Sequence, residues 1–373
     1  MRIGFDGTPL QYTRSGVGIY VEQLLRHLVQ ERPQWDYLLY NNKPFSPEAI
    51  PGLTPFAGYF PRSRWVWMHL KLPRVISQSG VDLCHFMNNS APLGCASPYA
   101  ITIHDASLFL FNQYHPWSRL IALRLLLPQV ARRAEAVITV SQASRQDLIR
   151  VLNLDPAKVQ VVYSAAGPEF RPLRNETQRA QLRQKYNLPD KFVLFVGTIE
   201  PRKNLLRLVA AFAQVQAHHP DCHLVLVGPN GWMMKGALEK EVAAADLRGK
   251  VHTLGFVPQA DLPGIYSLAA VFAFPSLHEG FGLPLLEAMA CGTAVLTSNC
   301  SAMPEVSGTA AYLVEPHSTA SIADGLNTLL GSSAQREWHI GQGFERVAHF
   351  SWAQTARETA AIYEQILTQK DRG

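Results

Sequence analysis

Two glutamates eight positions apart, Glu279 and Glu287, bracket the run Gly280-Phe281-Gly282-Leu283-Pro284-Leu285-Leu286. Carboxylates accept hydrogen bonds from hydroxyls, and glycines let backbone N–H groups come close to a ligand. Where such a turn runs into a helix, the free N–H groups of its first turn favour an anion such as a diphosphate. The flanking residues suit that geometry. Val271-Phe272-Ala273-Phe274 reads as a short buried strand, Pro284 fits the first helical position, and Gly292 fits the residue just past the helix end. Strand, loop and helix then set Glu279 in the loop and Glu287 on the helix's first turns, a cradle for a nucleotide sugar. An ordinary turn with two surface glutamates is the plainer reading, and the intact run from Glu279 to Pro284 outweighs it.

Four further segments at strand ends bear on chemistry. Gly197-Thr198-Ile199-Glu200-Pro201-Arg202-Lys203-Asn204 follows a strand and opens a helix. Cations are disfavoured beside the positive end of a helix dipole, so Arg202 and Lys203 point to an anion between them. A planar guanidinium and a compact ammonium can together offset charge that builds on a leaving group. Ser15-Gly16-Val17-Gly18-Ile19-Tyr20 follows the first strand, where Gly16 and Gly18 let backbone approach donor phosphates or an acceptor. It is not the dinucleotide fingerprint, because Val21 stands where the third glycine belongs. Ile101-Thr102-Ile103-His104-Asp105 puts His104 at a strand end, on the edge that faces the ligand in doubly wound folds, with Asp105 placed to orient the ring. A lone histidine among 13 is more often structural. Gly255-Phe256-Val257-Pro258 serves equally well as a plain turn or as a loop whose backbone reads a base.

The elements that must hold these residues alternate. In the second half, strands are expected at 192–196, 223–227, 251–254, 271–274, 294–297 and 312–314, with helices between them, the first over 204–215. That pattern argues for a parallel, doubly wound sheet. The first half alternates less cleanly: strands at 2–5, 37–40, 81–86, 99–103, 136–140 and 159–162, and helices near 18–30, 117–134 and 142–152. The expected domains are 1–165 and 166–349, with a terminal helix over 350–373 returning to the first. The expected fold class is α/β, two Rossmann-like doubly wound domains facing a cleft.

At 373 residues the chain suits two domains. The best apolar run, Leu120 to Ala131, is interrupted by Arg124 and Pro128, too short a stretch to span a bilayer. The N-terminus reads as a strand and not as a signal peptide. Five cysteines without a C-x-x-C spacing suit reduced thiols and a cytoplasmic protein. Net charge is +5, and residues 1–167 hold 16 Lys/Arg against 10 Asp/Glu, so an anionic partner fits the first half. No nucleic-acid motif accompanies that charge. The segment Arg62-Ser-Arg64-Trp65-Val-Trp67-Met-His69-Leu-Lys71 suits a peripheral membrane or lipid-linked contact and, equally, a helix packing its Trp inward.

Ser276-x-x-Glu279-Gly-Phe-Gly-Leu-Pro-x-x-Glu287 resembles the E-x7-E signature of family 4 retaining glycosyltransferases, which have the GT-B architecture, and weaker marks follow in order along the whole chain. By that resemblance Glu279, Gly280, Phe281 and Gly282 hold the donor sugar, and Glu287 the ribose. Arg202, Lys203, Gly16, Gly18 and Leu283 hold the diphosphate, and Val257 the base. His104 contacts the sugar and supports catalysis beside Glu279. The resemblance implies retaining, metal-independent hexosyl transfer, with no cofactor and no metal. The donor is a nucleotide sugar, UDP-glucose ahead of GDP-mannose. The acceptor is a glycan or lipid-linked hydroxyl in envelope or extracellular polysaccharide synthesis, and the place of action is the cytoplasm or the inner face of the membrane. Asp-x-Asp, the metal-holding motif of the other common glycosyltransferase fold, is absent. Two rivals stand beside this reading: a sugar-nucleotide epimerase of the same fold and a non-catalytic binding protein.

Overall fold

Strands of a parallel sheet are covered on both faces and so are apolar along their length. Phe192–Val196, Val271–Phe274 and Ala294–Ser298 are buried at every position, as are Leu83–Phe86, Tyr99–Thr102 and Ala136–Thr139. The computed structural model describes residues 1–11, 16–42, 50–56, 63–111, 113, 117–231, 234 and 236–370. The chain divides into two compact units. The first comprises Met1–Leu110, Trp117–Ser164 and Ser351–Gly373, and the second Phe111–Pro116 and Ala165–Phe350.

The strands of the first unit are β1 (Arg2–Asp6), β2 (Asp36–Tyr40), β3 (Leu53–Pro55), β4 (Leu83–Phe86), β5 (Tyr99–Thr102), β6 (Ala136–Thr139) and β7 (Val159–Val161). They form one parallel sheet in the order β3-β2-β1-β4-β5-β6-β7. Those of the second are β8 (Phe192–Val196), β9 (His223–Val227), β10 (Val251–Gly255), β11 (Val271–Phe274), β12 (Ala294–Ser298) and β13 (Ala311–Val314), in the order β10-β9-β8-β11-β12-β13. Chain order reverses beside β1 in one sheet and beside β8 in the other. In open α/β sheets that reversal opens a crevice at the carboxyl ends of the strands.

Several elements were not expected from the sequence. β3 has only three residues and ends on Pro55. Residues 64–79 form a continuous helical run with a π turn over Trp67–Lys71. Within it Trp67 packs into the core, as the inward-packing reading has it, while Trp65 is 58% exposed; Arg62 lies outside the described residues. Glu176–Tyr186 is a helix without a single buried residue, which left no apolar period to read. The helix Trp352–Lys370 belongs to the first unit, where Thr355 Oγ1 donates to Tyr163 O at 2.6 Å and Tyr363 is fully buried. Among the described residues no helix is long and apolar enough to cross a membrane.

Candidate active site

The carboxyl edge of the second sheet is built on glycines. Gly197, Gly228 and Gly255 follow or end β8, β9 and β10 with positive φ, and a Cβ on Gly228 would collide with Gly197 O. Beyond β8 the chain enters a 3₁₀ turn, Pro201–Lys203, and then the helix Leu205–Gln216. Arg202 and Lys203 therefore lie in the turn that leads into the helix. Asn204, at φ 63°, anchors that turn by donating from Nδ2 to Pro275 O at 3.0 Å and to Pro316 O at 2.7 Å.

The turn meets the loop after β11 in a buried ion network. Arg202 Nη1 donates to Glu279 Oε2 at 2.9 Å and Nη2 to Glu200 Oε1 at 2.7 Å, while Lys203 Nζ donates to Glu279 Oε1 at 2.6 Å. Arg202 Nη1 also reaches His278 O, and Leu277 N–H donates to Arg202 O at 2.9 Å. Ser301 Oγ donates to Glu279 O at 2.7 Å, fixing the loop backbone. Glu200, Lys203 and Glu279 are each less than 10% exposed. Burial by itself would raise Glu279, but the opposing pull of Arg202 and Lys203 holds it at about 2. Burial lowers Lys203, with Glu279 acting against the shift. Two formal positive and two formal negative charges thus meet in one cluster. The sequence placed Arg202 and Lys203 as a diphosphate clamp apart from Glu279; the structure brings the three side chains together.

Gly282, at φ 96°, starts the helix Leu283–Ala290, and Leu283 stands at its first position with Pro284 next. Gly280, Phe281 and Gly282 are buried, and Phe281 packs edge-on against Phe350 at 5.8 Å. Glu287 lies on this helix and accepts from Tyr266 Oη at 2.9 Å. It is buried with no cation beside it among the described residues, so burial pushes its carboxyl up to about 7, Tyr266 pulling the other way and Glu169 adding to the rise. Val257 is buried just past β10, while Phe256 before it is 57% exposed.

In the first unit, His104 follows β5. Its Nε2 donates to Met87 O at 3.0 Å, and its backbone N–H donates to Asn89 Oδ1 at 2.9 Å. The ring was expected to be oriented by Asp105. Instead Asp105 Oδ1 accepts from Ser107 N–H at 2.9 Å, at the start of the short helix Ser107–Leu110. Burial lowers the His104 pKa, with Met87 and Asp105 opposing, so the ring is neutral and Nδ1 carries the lone pair. Behind it runs a polar chain that sequence reading missed. His85 Nδ1 shares a hydrogen bond with Tyr363 Oη at 2.5 Å, its Nε2 shares one with Thr102 Oγ1 at 2.7 Å, and Thr102 Oγ1 lies 3.4 Å from Tyr20 Oη. Tyr20 meets His104 edge-on at 4.9 Å. Burial holds His85 at about 3. Gly16 and Gly18 lie inside the first turn of the helix Gly16–Glu31 and not in a loop before it; Ser15 lies outside the described residues. A period-2 strand pattern gives no hint that His85 and Thr102 share a hydrogen bond.

Two parallel-sheet Rossmann-like units, with carboxylates and cations at the carboxyl strand ends of one of them, have the architecture of the GT-B glycosyltransferases. The family model "Glycosyl transferases group 1" matches residues 178–343, and "Glycosyltransferase Family 4" matches residues 14–169. The chain is 33% identical over 268 residues to O-antigen chain mannosyltransferase B of Escherichia coli, a match covering 70% of this chain and 69% of that one. It is 36% identical over 240 residues to the serotype-specific mannosyltransferase WbdA of Escherichia coli, covering 63% of this chain and 29% of that much longer one. Among solved structures, sucrose-phosphate synthase from Thermosynechococcus elongatus superposes with a TM-score of 0.77 at 24% identity over 99% of both chains. The chain belongs to glycosyltransferase family 4.

Proposed function

We propose that this glycosyltransferase moves a hexosyl group, with retention, from a nucleotide sugar to a hydroxyl of a glycan or lipid-linked acceptor in envelope or extracellular polysaccharide synthesis. The names of the two Escherichia coli relatives put a mannose donor ahead of the glucose donor that the sequence suggested first. The observation that carries the reading is the buried network of Glu200, Arg202, Lys203 and Glu279. A buried cation pair held ready by carboxylates suits a diphosphate, which takes over part of their pairing when it binds.

In this reading Glu279, ionised at any working pH, accepts from a donor-sugar hydroxyl, and Gly280, Phe281 and Gly282 line the sugar. Arg202, Lys203, Gly16, Gly18 and the helix start at Leu283 hold the diphosphate, without a metal. Glu287 takes the ribose hydroxyls, and the backbone at Val257 takes the base. His104 offers Nδ1 to a hydroxyl. Neither glutamate is assigned as a covalent nucleophile; the departing phosphate helps deprotonate the acceptor. The protein is expected to act at the cytoplasmic side of the membrane.

Calorimetric titration of the protein with GDP-mannose, UDP-glucose and ADP-glucose in EDTA tests this. Saturable binding of one donor, weakened by Arg202→Lys, is the expected result. Silence from all three, with or without magnesium, sinks the proposal, and binding that needs magnesium removes its metal-independent part. Incubating the bound donor without acceptor separates transfer from epimerisation, because an epimerase converts that sugar alone.

A further inference from the structure

The amino edge of the first sheet lies at the opposite end of the strands from His104, and it carries chemistry that the transferase reading does not use. Cys84, on β4, pairs in register with Tyr99 at the start of β5, and its backbone N–H donates to Pro98 O at 3.0 Å. The loop between the two strands returns alongside β4 there and sets Cys95 against Cys84. The two side chains hydrogen-bond, the Cys84 S–H donating to Cys95 Sγ, and Cys95 Sγ also lies 3.4 Å from Ser97 O. Cys84 is fully buried, while Cys95 is half-buried. With Ser97, Tyr99, Arg133, Glu135 and Ile366, Cys95 lines a cavity of about 460 Å³, large enough for a small molecule.

The five cysteines differ in kind. Burial pushes Cys222 up to about 11, Cys291 to about 12 and Cys300 to about 11. Cys95 moves the other way. The Cys84 S–H holds it below the ordinary thiol value of 9.0, with help from the Ser97 backbone and against its own burial. Cys84, the donor in that bond and buried besides, stays well above 9.0. The pair thus divides into a nucleophile on a cavity wall and a protonated thiol directly behind it. Thiol–disulfide exchange needs both: a thiolate to attack, and a second thiol in reach to displace the product.

We propose that Cys95 is a thiol-exchange site that takes a low-molecular-weight disulfide in this cavity, and that Cys84 resolves the product. The Cys95 thiolate attacks one sulfur of the small disulfide, whose S–S bond breaks. One thiolate leaves, and a mixed disulfide forms on Cys95. Cys84 gives its proton to the departed thiolate and attacks Cys95 Sγ, which breaks the mixed disulfide and closes a Cys84–Cys95 bridge. Two protein thiols are oxidised by two electrons, and the small disulfide is reduced to two thiols. Neither step uses the donor site, so the proposal stands or falls apart from the transferase reading.

Oxidised glutathione added to the reduced full chain, followed by blocking of free thiols and peptide mass spectrometry, tests it. The expected product is a Cys84–Cys95 disulfide, formed before any thiolation of Cys222, Cys291 or Cys300. In Cys84→Ala the glutathione adduct is expected to accumulate on Cys95, and in Cys95→Ser neither bridge nor adduct forms at Cys84. Alkylation of the parent by iodoacetamide at pH 7 decides the matter if Cys84→Ala does not fold. Cys95 is then expected to react about tenfold faster than Cys300, because its thiolate fraction is about a hundredfold larger and its lower basicity takes back roughly half of that gain on a logarithmic scale. Thiolation first at another cysteine, no bridge, an adduct that lasts no longer in Cys84→Ala than in the parent, or equal alkylation of Cys95 and Cys300 overturns the site.

Discussion

Glu279 in the loop after β11 and Glu287 on the helix that follows are equally buried, each 7% exposed, yet they stand at opposite ends of the carboxylate range. Glu279 is held at about 2 and Glu287 is pushed up to about 7. Desolvation acts on both in the same direction. What separates them is the neighbouring turn, which brings Arg202 and Lys203 to one carboxylate and leaves the other with the Tyr266 hydroxyl. Burial does not decide ionisation; the sign of the nearest partner does. The first unit extends the lesson, since His85 has hydroxyl partners on both ring nitrogens and gives up its charge.

Breaking the Glu279 side of the comparison has the largest expected effect. Glu279→Gln leaves two buried cations facing a neutral amide, which costs about 3–5 kcal/mol by analogy with other broken buried pairs. Urea unfolding at pH 7 measures that loss, and transfer is expected to fall to background in the same variant. The ion network predicts a loss of stability as well as of transfer, and an unchanged unfolding midpoint would show that the pairs add nothing.

Glu287→Gln sharpens the other side. A carboxyl raised from 4.5 to about 7 contributes stability that is fully present below pH 4.5 and lost as pH rises through 7. The variant has no such loss, so its stability relative to the parent is expected to grow from pH 5 to pH 8, by at most about 3 kcal/mol. Glu279 has the opposite sign: its contribution is present above pH 4.5 and disappears as pH falls through 2. Thermal midpoints of parent and variant across pH 5 to 8 read the difference, and parallel curves would contradict the assignment to Glu287.

Tyr363→Phe removes the hydroxyl partner of His85 Nδ1 and strands a buried ring nitrogen, at a cost of about 1–3 kcal/mol. Its unfolding free energy at neutral pH is the readout. The smallest effect is expected from Arg202→Lys, which keeps the charge but loses the guanidinium fork that spans Glu200 and Glu279. Nucleoside diphosphate affinity is expected to fall about tenfold, or ~1.4 kcal/mol by calorimetry.

Much of the fold was legible because buried parallel strands are unbroken apolar runs. Phe192–Val196, His223–Val227 and Val271–Phe274 stand where those runs stand. Elements without such a run escaped: the helix Glu176–Tyr186 buries nothing, and β3 is three residues long. At the site, the residue types at positions 202, 203, 279 and 287 were readable from motif spacing. That Arg202 and Lys203 both pair with Glu279, 77 and 76 positions away, was not. Nor was the role of Asn204, whose side chain ties its turn to Pro275 and to Pro316.

The sequence by itself determined the alternation of strands and helices, the family, and the glycine-bearing loop that opens a helix between two glutamates. These depend on periodicity and spacing over a few neighbouring residues, where propensity and burial act locally. The tertiary structure alone decided which glutamate is charged and which histidine is neutral. Those properties arise from desolvation and from partners brought close by strand order, and no local pattern records a neighbour that lies many tens of residues away in the chain.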